Sequence, residues 1–328
     1  VMIMIACGLL LSAGLAAVLF GGGERFQLLS STNDGGALLP DVARRVLWWA
    51  NVLLVGGGVA GVCMAGAGGR LVMRLLAATS PEDDNRFTEN GSVIGEISVG
   101  GTGFLLVQGI AIGMLTALVY GLLRRWLPAG RAGGALYGLL LLLALSTVLD
   151  PLRPDNRDFQ IVGPGWLSVA VFSALAIGHG TLLAVTTAWL SRRVPVMGAV
   201  KDLRWYIPLA LVLVLLGPAG VIVVAGIIAA VGVLWASAAV KRRLQSGEPD
   251  RPAAADQRLV MTAGQPGPAA ENGMGAAPSL TASQTQPPGA RRDRRVMLAG
   301  RIALLGLGIA CLPGFIASMA SILAAGGS

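Results

Sequence analysis

The chain has 328 residues, of which 54% are apolar and only 13% charged, and its formal net charge is +8. A mean hydropathy of +0.71 excludes an ordinary soluble domain, and several apolar runs approach the ~20 residues that cross a hydrocarbon layer of ~30 Å. The basic residues gather at the ends of those runs, a pattern that orients membrane helices and argues against nucleic acid as a partner.

All basic residues except Lys201 and Lys241 are arginine, and Ala and Gly are abundant, which hints at a GC-rich bacterial source. Cys7, Cys63 and Cys311 each lie in an apolar run without a CxxC pair, so they read as small buried hydrophobes. No metal and no cofactor are expected.

Residues 2–20 form the first apolar run. Ala13 and Ala16 resemble a signal-peptide cleavage region, but no positive charge precedes the run, and a retained helix is the expectation. Residues 21–41 are rich in Gly, Ser, Asn and Asp and read as a loop. The second span, 46–68, is preceded by Arg44 and Arg45 and carries Trp48 and Trp49 just inside, as an interface favours. Within it Gly57, Gly61, Ala65 and Gly69 recur every fourth residue, a flat strip for a neighbouring helix.

Residues 66–102 form the most charge-dense stretch between two long apolar runs, and the sequence directs attention there first. Arg70 and Arg74, four apart, share one face of a helix continuing from the second span. They suit an anionic head group, a substrate carboxylate, or Glu89 and Glu96 from the same stretch; snorkelling arginines with loop carboxylates as partners is the plainer account. Glu96 sits among Val93, Ile94, Ile97 and Val99, where a carboxylate has either a partner or a raised pKa.

The third span, 103–123, carries Gly109 and Gly113, and a basic turn follows with Arg124, Arg125, Trp126 and Arg131. The fourth, 132–149, adjoins Gly130, Gly134 and Gly138, and a polar loop at 150–165 leads to the fifth, 166–190. His179, the single histidine, lies near the middle of the fifth between Gly178 and Gly180. An ionisable group there is a candidate proton or substrate site, with a neutral histidine bonded to the next helix as the simpler reading and Gln108 as a partner type. The triplet Asp84-Asn85-Arg86 returns as Asp155-Asn156-Arg157, which raises a decayed two-hairpin repeat.

The apolar region 205–240 is broken by Gly217 and Pro218, and splits into a short sixth span, 205–216, and a seventh, 219–240, with one kinked helix as the rival reading. Residues 244–295, low in large apolar side chains and closed by RRDRR, read as a disordered linker. The final helix occupies 296–328. Arg291, Arg292, Arg294 and Arg295 suit anionic lipids or simply orient that helix.

The expectation is therefore an all-α, multi-pass helix bundle of the cell membrane with about eight spans and a cytoplasmic linker before the last. No Walker A loop, HExxH, nucleophile elbow or CxxCH is present, so enzymatic chemistry is not expected. The leading functional reading is a non-enzymatic scaffold or accessory subunit that packs through small-residue faces, as an oligomer or with a membrane partner. The alternatives are a small-solute or proton-coupled transporter using His179, Glu96, Arg70 and Arg74, and a lipid-modifying intramembrane enzyme.

Overall fold

The computed structural model describes residues 2–21, 26, 41–80, 98–146, 164–246 and 288–325, and these are all-α. In chain order the helices are α1 (Met2–Phe20), α2 (Asp41–Ala60), a π-helix (Gly61–Gly68), α3 (Gly69–Ala78), α4 (Val99–Leu123) and α5 (Arg131–Leu145). They continue with α6 (Gly165–Arg193), a 3₁₀ helix (Val200–Tyr206), α7 (Ile207–Leu215), α8 (Pro218–Ser246) and α9 (Pro288–Ala325). Helix is the form an apolar chain takes in lipid, because every backbone N–H and C=O must then find its partner inside the segment. Breaks fall where local chemistry permits them. The Ser98 hydroxyl caps α4 by accepting from Gly101 N at 3.0 Å. Gly130 and Gly217 take positive φ of 73° and 54° ahead of α5 and α8.

Two antiparallel glycine contacts build the centre. Gly57 and Gly61 face Gly113 and Gly109 of α4 so closely that a Cβ on any of the four would meet the opposite backbone. Gly134 and Gly138 of α5 meet Gly180 and Ala176 of α6 in the same way. Hydrophobic burial does not drive helices together in lipid, so close packing of this kind carries much of the association. Met64, Ala117, Tyr120, Tyr137, Leu182 and Leu183 fill the space between the two pairs.

The π-helix changes the predicted strip. With more residues per turn than an α-helix, it carries the contact from Gly61 to Gly66, which packs on Leu105 and Leu106, rather than to Ala65. Gly69 has open space around it.

One end of the bundle gathers the basic residues. Arg131 donates to the Gly21 carbonyl at the end of α1, and Arg124 lies over the rings of Phe26 and Trp49 at 3.7 and 4.5 Å. Arg44 Nε donates to the Met197 carbonyl, and Trp48 Nε1 donates to Val194 O at 2.9 Å. Trp48 is thus an interior post for the segment after α6 rather than an interfacial anchor, and it is 1% exposed. Gly300 of α9 packs on Trp126 at this same basic face, whereas at the opposite face Ile322 packs on Gly165.

The expected count of about eight spans does not hold. Among the described residues five helices are long and apolar enough to cross a membrane: Met2–Phe20, Asp41–Ala78, Val99–Leu123, Gly165–Arg193 and Arg295–Ala324. The other three expected spans supply no apolar stretch of that length among the described residues. Helix α5 has 15 residues, about 22 Å at 1.5 Å per residue. Helix α7 has nine residues, about 14 Å. Helix α8 has 29 residues, and its described apolar stretch, Gly220–Leu234, is shorter than the ~20 residues of a full crossing. Helices α7 and α8 instead fold back on each other at Gly217 and Pro218, with Gly220 against the Leu213 carbonyl. Leu209, Leu216, Val223 and Ile227 of this hairpin pack on Leu54 and Val55 of α2.

Gly61→Ala and Gly113→Ala are each expected to destabilise the protein by about 1–3 kcal/mol through overpacking. Gly103→Ala and Gly226→Ala, at positions with open space, are expected to be neutral or to stabilise by up to ~1 kcal/mol. Thermal midpoints in detergent measure the difference, and equal losses at all four positions would contradict the two glycine contacts.

Candidate functional site: a polar chain at His179

His179 is buried in the middle of α6, 6% exposed. Its two glycine neighbours let other helices come close: Gly180 meets α5, and Gly178 lies beside the Met64 side chain of the π-helix. His179 Nε2 is 2.9 Å from Thr116 Oγ1 of α4. That hydroxyl is also 3.0 Å from the Gly113 carbonyl. The Tyr137 hydroxyl of α5 donates to the Thr116 backbone carbonyl at 2.5 Å, and the Tyr120 and Tyr137 rings meet edge-on at 5.2 Å. The backbone of Ala60, the last residue before the π-helix, lies beside the imidazole, and His179 Nδ1 has no hydrogen-bond partner among the described residues.

The Thr116 hydroxyl has two acceptors within reach, the Gly113 carbonyl and His179 Nε2, and its contact with the imidazole ties α4 to α6.

Other hydroxyls of α6 are used in a similar way. Thr181, Thr186 and Thr187 donate to carbonyls one turn back at 2.7, 2.8 and 2.7 Å, and Thr186 also reaches Gly56 O of α2 at 3.3 Å. Such back-bonding satisfies polar groups within the helix where no water is at hand.

The remaining sequence candidates do not join His179. Arg70 and Arg74 do lie on a helix, α3, with Arg70 half-buried within electrostatic range of Cys7 of α1 and Arg74 exposed. Both have interaction partners. The eight-residue π-helix separates them from the Ala60 level at which His179 sits. Gln108 is exposed on α4, about two turns before Thr116, and Thr116 occupies the partner position foreseen for it. Glu89, Glu96 and both Asp-Asn-Arg triplets lie outside the described residues, as do the side chains of Arg291, Arg292 and Arg294. Arg295 is exposed, and α9 begins at Pro288, so the stretch assigned to the end of the linker is helical.

Among the described residues no group of three or more His, Cys, Asp or Glu side chains converges as metal ligands would. The three cysteines are free thiols.

Sequence reasoning missed Thr116 and Tyr137, yet each carried a signal. Thr116 lies three residues after Gly113, and Tyr137 lies between Gly134 and Gly138. A polar residue beside a helix-packing glycine is turned toward the partner helix by the same geometry that turns the glycine there.

Comparison of the chain with protein-family models, with curated proteins and with solved structures finds no match. Its own geometry therefore carries the functional reading. What that geometry establishes is an all-α, multi-pass membrane protein.

Thr116→Val removes the hydroxyl while keeping its volume, and leaves His179 Nε2 buried without a partner. The expected cost is about 1–3 kcal/mol, read as a lower thermal midpoint in detergent. Thr116→Ser should retain most of the stability, and indistinguishable Val and Ser variants would show that the contact contributes nothing.

Proposed function

We propose that this protein is a non-enzymatic membrane component, a scaffold or accessory subunit whose central helices form a rigid, closed frame. The observation that carries this reading is the state of His179. The one histidine of the chain is buried, and its bond to Thr116 joins α4 to α6. Glycine backbone contacts on both sides of it support a frame that holds its shape. A small-solute or proton-coupled transporter is the second reading, favoured by the unbonded Nδ1 and by the π-helix beside it, a form that recurs at functional sites.

Proteoliposomes loaded with a pH-sensitive dye separate the two. After an external acid pulse the scaffold reading expects acidification no faster than in empty vesicles, for the parent protein and for His179→Gln alike. Protein-dependent flux that His179→Gln abolishes would establish the transporter instead.

We also propose that the basic face is cytoplasmic. Supporting this are the arginines collected there and the start of α9 at that face against Trp126. The return of α8 along α2 supports the same face for the other end of residues 247–287. A reporter enzyme inserted at Ala270 is expected to be active only when it functions inside the cell, and activity confined to an exported reporter would invert the orientation.

A further inference from the structure

Residues 194–207 connect α6 to α7 on the basic face, and their inner side is bolted to α2. Besides the bonds from Trp48 and Arg44, Asn51 Nδ2 donates to Trp205 O at 3.1 Å. The Tyr206 hydroxyl donates to Pro195 O at 3.0 Å. Trp48, Val52, Val194 and Tyr206 form a buried cluster beneath the segment. The backbone of this connection is therefore fixed, and so is the direction in which its outer side chains project.

Those outer side chains are of two kinds. Val200, Leu203 and Ile207 are 75%, 56% and 60% exposed, and the apolar line continues along α7 through Leu211 and Val214. Lys201 and Arg204 are exposed among them, Arg204 lies 5.8 Å from the Trp205 ring, and Arg193 lies 4.7 Å from the ring of exposed Trp189. The acid within residues 194–207 is Asp202, and its carboxylate is turned back on the chain. It accepts from Gly198 N at 3.0 Å and Ala199 N at 2.9 Å, the reciprocal half of a capping box. Those amide bonds hold its carboxyl below the usual range, with Lys201 and Arg204 adding to the effect. The acid closes the turn and leaves the outward surface cationic.

We propose that residues 200–207 form a binding site for an anionic phospholipid of the leaflet on the basic face. Val200, Leu203 and Ile207 seat against the upper acyl chains, while Lys201 and Arg204 take the headgroup phosphate. The apolar line argues for a lipid over a soluble acidic peptide, because it runs without a break from the cationic turn down a helix that enters the apolar layer. Tryptophan rings under the guanidinium groups are the side chains an interface selects. Neither the glycine frame nor His179 takes part, so this site is independent of the scaffold reading.

The test is native mass spectrometry of the full chain in detergent, titrated with phosphatidylglycerol and with phosphatidylcholine. The parent protein should retain phosphatidylglycerol on the order of thirty-fold more tightly. Lys201→Gln with Arg204→Gln should weaken phosphatidylglycerol by on the order of thirty-fold, since each basic residue near an anionic surface is worth ~1 kcal/mol. Phosphatidylcholine binding should be unchanged, which also reports that the variant is folded. Arg291→Gln with Arg292→Gln should keep the preference. Equal retention of the two lipids by the parent, an unaltered preference in the Lys201 and Arg204 variant, or loss of the preference in the Arg291 and Arg292 variant would each overturn the proposal. Displacement of the lipid by millimolar inorganic phosphate would do so as well, by assigning the cations to a free anion.

Discussion

The backbone contact between Gly57 and Gly61 on one side and Gly113 and Gly109 on the other is the constraint from which the rest of the bundle follows. In lipid, an apolar side chain gains little by moving from acyl chains to a neighbouring helix, so a bundle must be held by something other than hydrophobic transfer. Removing side chains at the crossing lets two backbones approach until dispersion between them is large and lipid is excluded. The α5–α6 contact through Gly134, Gly138 and Gly180 repeats this solution on the other side of the centre. Once both crossings are set, Met64, Tyr137, Leu182 and Leu183 have only the narrow space between them to fill, and each is fully buried.

Close approach has a consequence for polar groups. Helices that meet at glycine bring neighbouring side chains within bonding distance, and Thr116, Tyr137 and His179 all sit beside such a glycine. Their bonds add direction to an attraction that dispersion leaves nearly isotropic, and so they fix register. The π-helix belongs to the same arrangement. It begins directly after Ala60, whose backbone lies beside His179, and its wider turn carries the contact with α4 from Gly61 to Gly66. An α-helix kept over the same residues would have presented Ala65 to α4, where a Cβ occupies the space that the contact needs.

Much of this was legible in the chain. The run at 103–123 became α4, that at 166–190 became α6, and the glycine pairs in both hairpins meet as their spacing implied. Three things were not. Hydropathy states that a segment can lie in lipid but not how deep it goes before turning. The break at Gly217 and Pro218 was visible, whereas the packing of the hairpin it makes depends on Leu54 and Val55 of α2, which no local pattern contains. The pair Trp48 and Trp49 matched an interfacial belt, but the Trp48 indole N–H finds Val194 O across 146 positions of sequence, and a long-range acceptor leaves no trace near Trp48. A π-helix has no sequence period of its own, so a four-residue glycine repeat was extended through Ala65 and Gly69.

The basic face bears on the proposed role. At the basic face several segments are bonded to the bundle: Arg44 and Asn51 hold the segment after α6, Arg131 holds the end of α1, and Arg124 stacks on Phe26 and Trp49. These contacts spend guanidinium groups on backbone carbonyls and aromatic faces. A fixed end of that kind keeps its remaining exposed cations, Lys201 and Arg204 among them, at set positions instead of on swinging loops. Fixed charge is what distinguishes a recognising surface from one that merely orients helices, because ordering entropy has already been lost in folding and is not lost again on contact. On the proposed scaffold reading, a closed centre and a preordered basic face go together, because the role then lies in what the protein holds at the membrane surface.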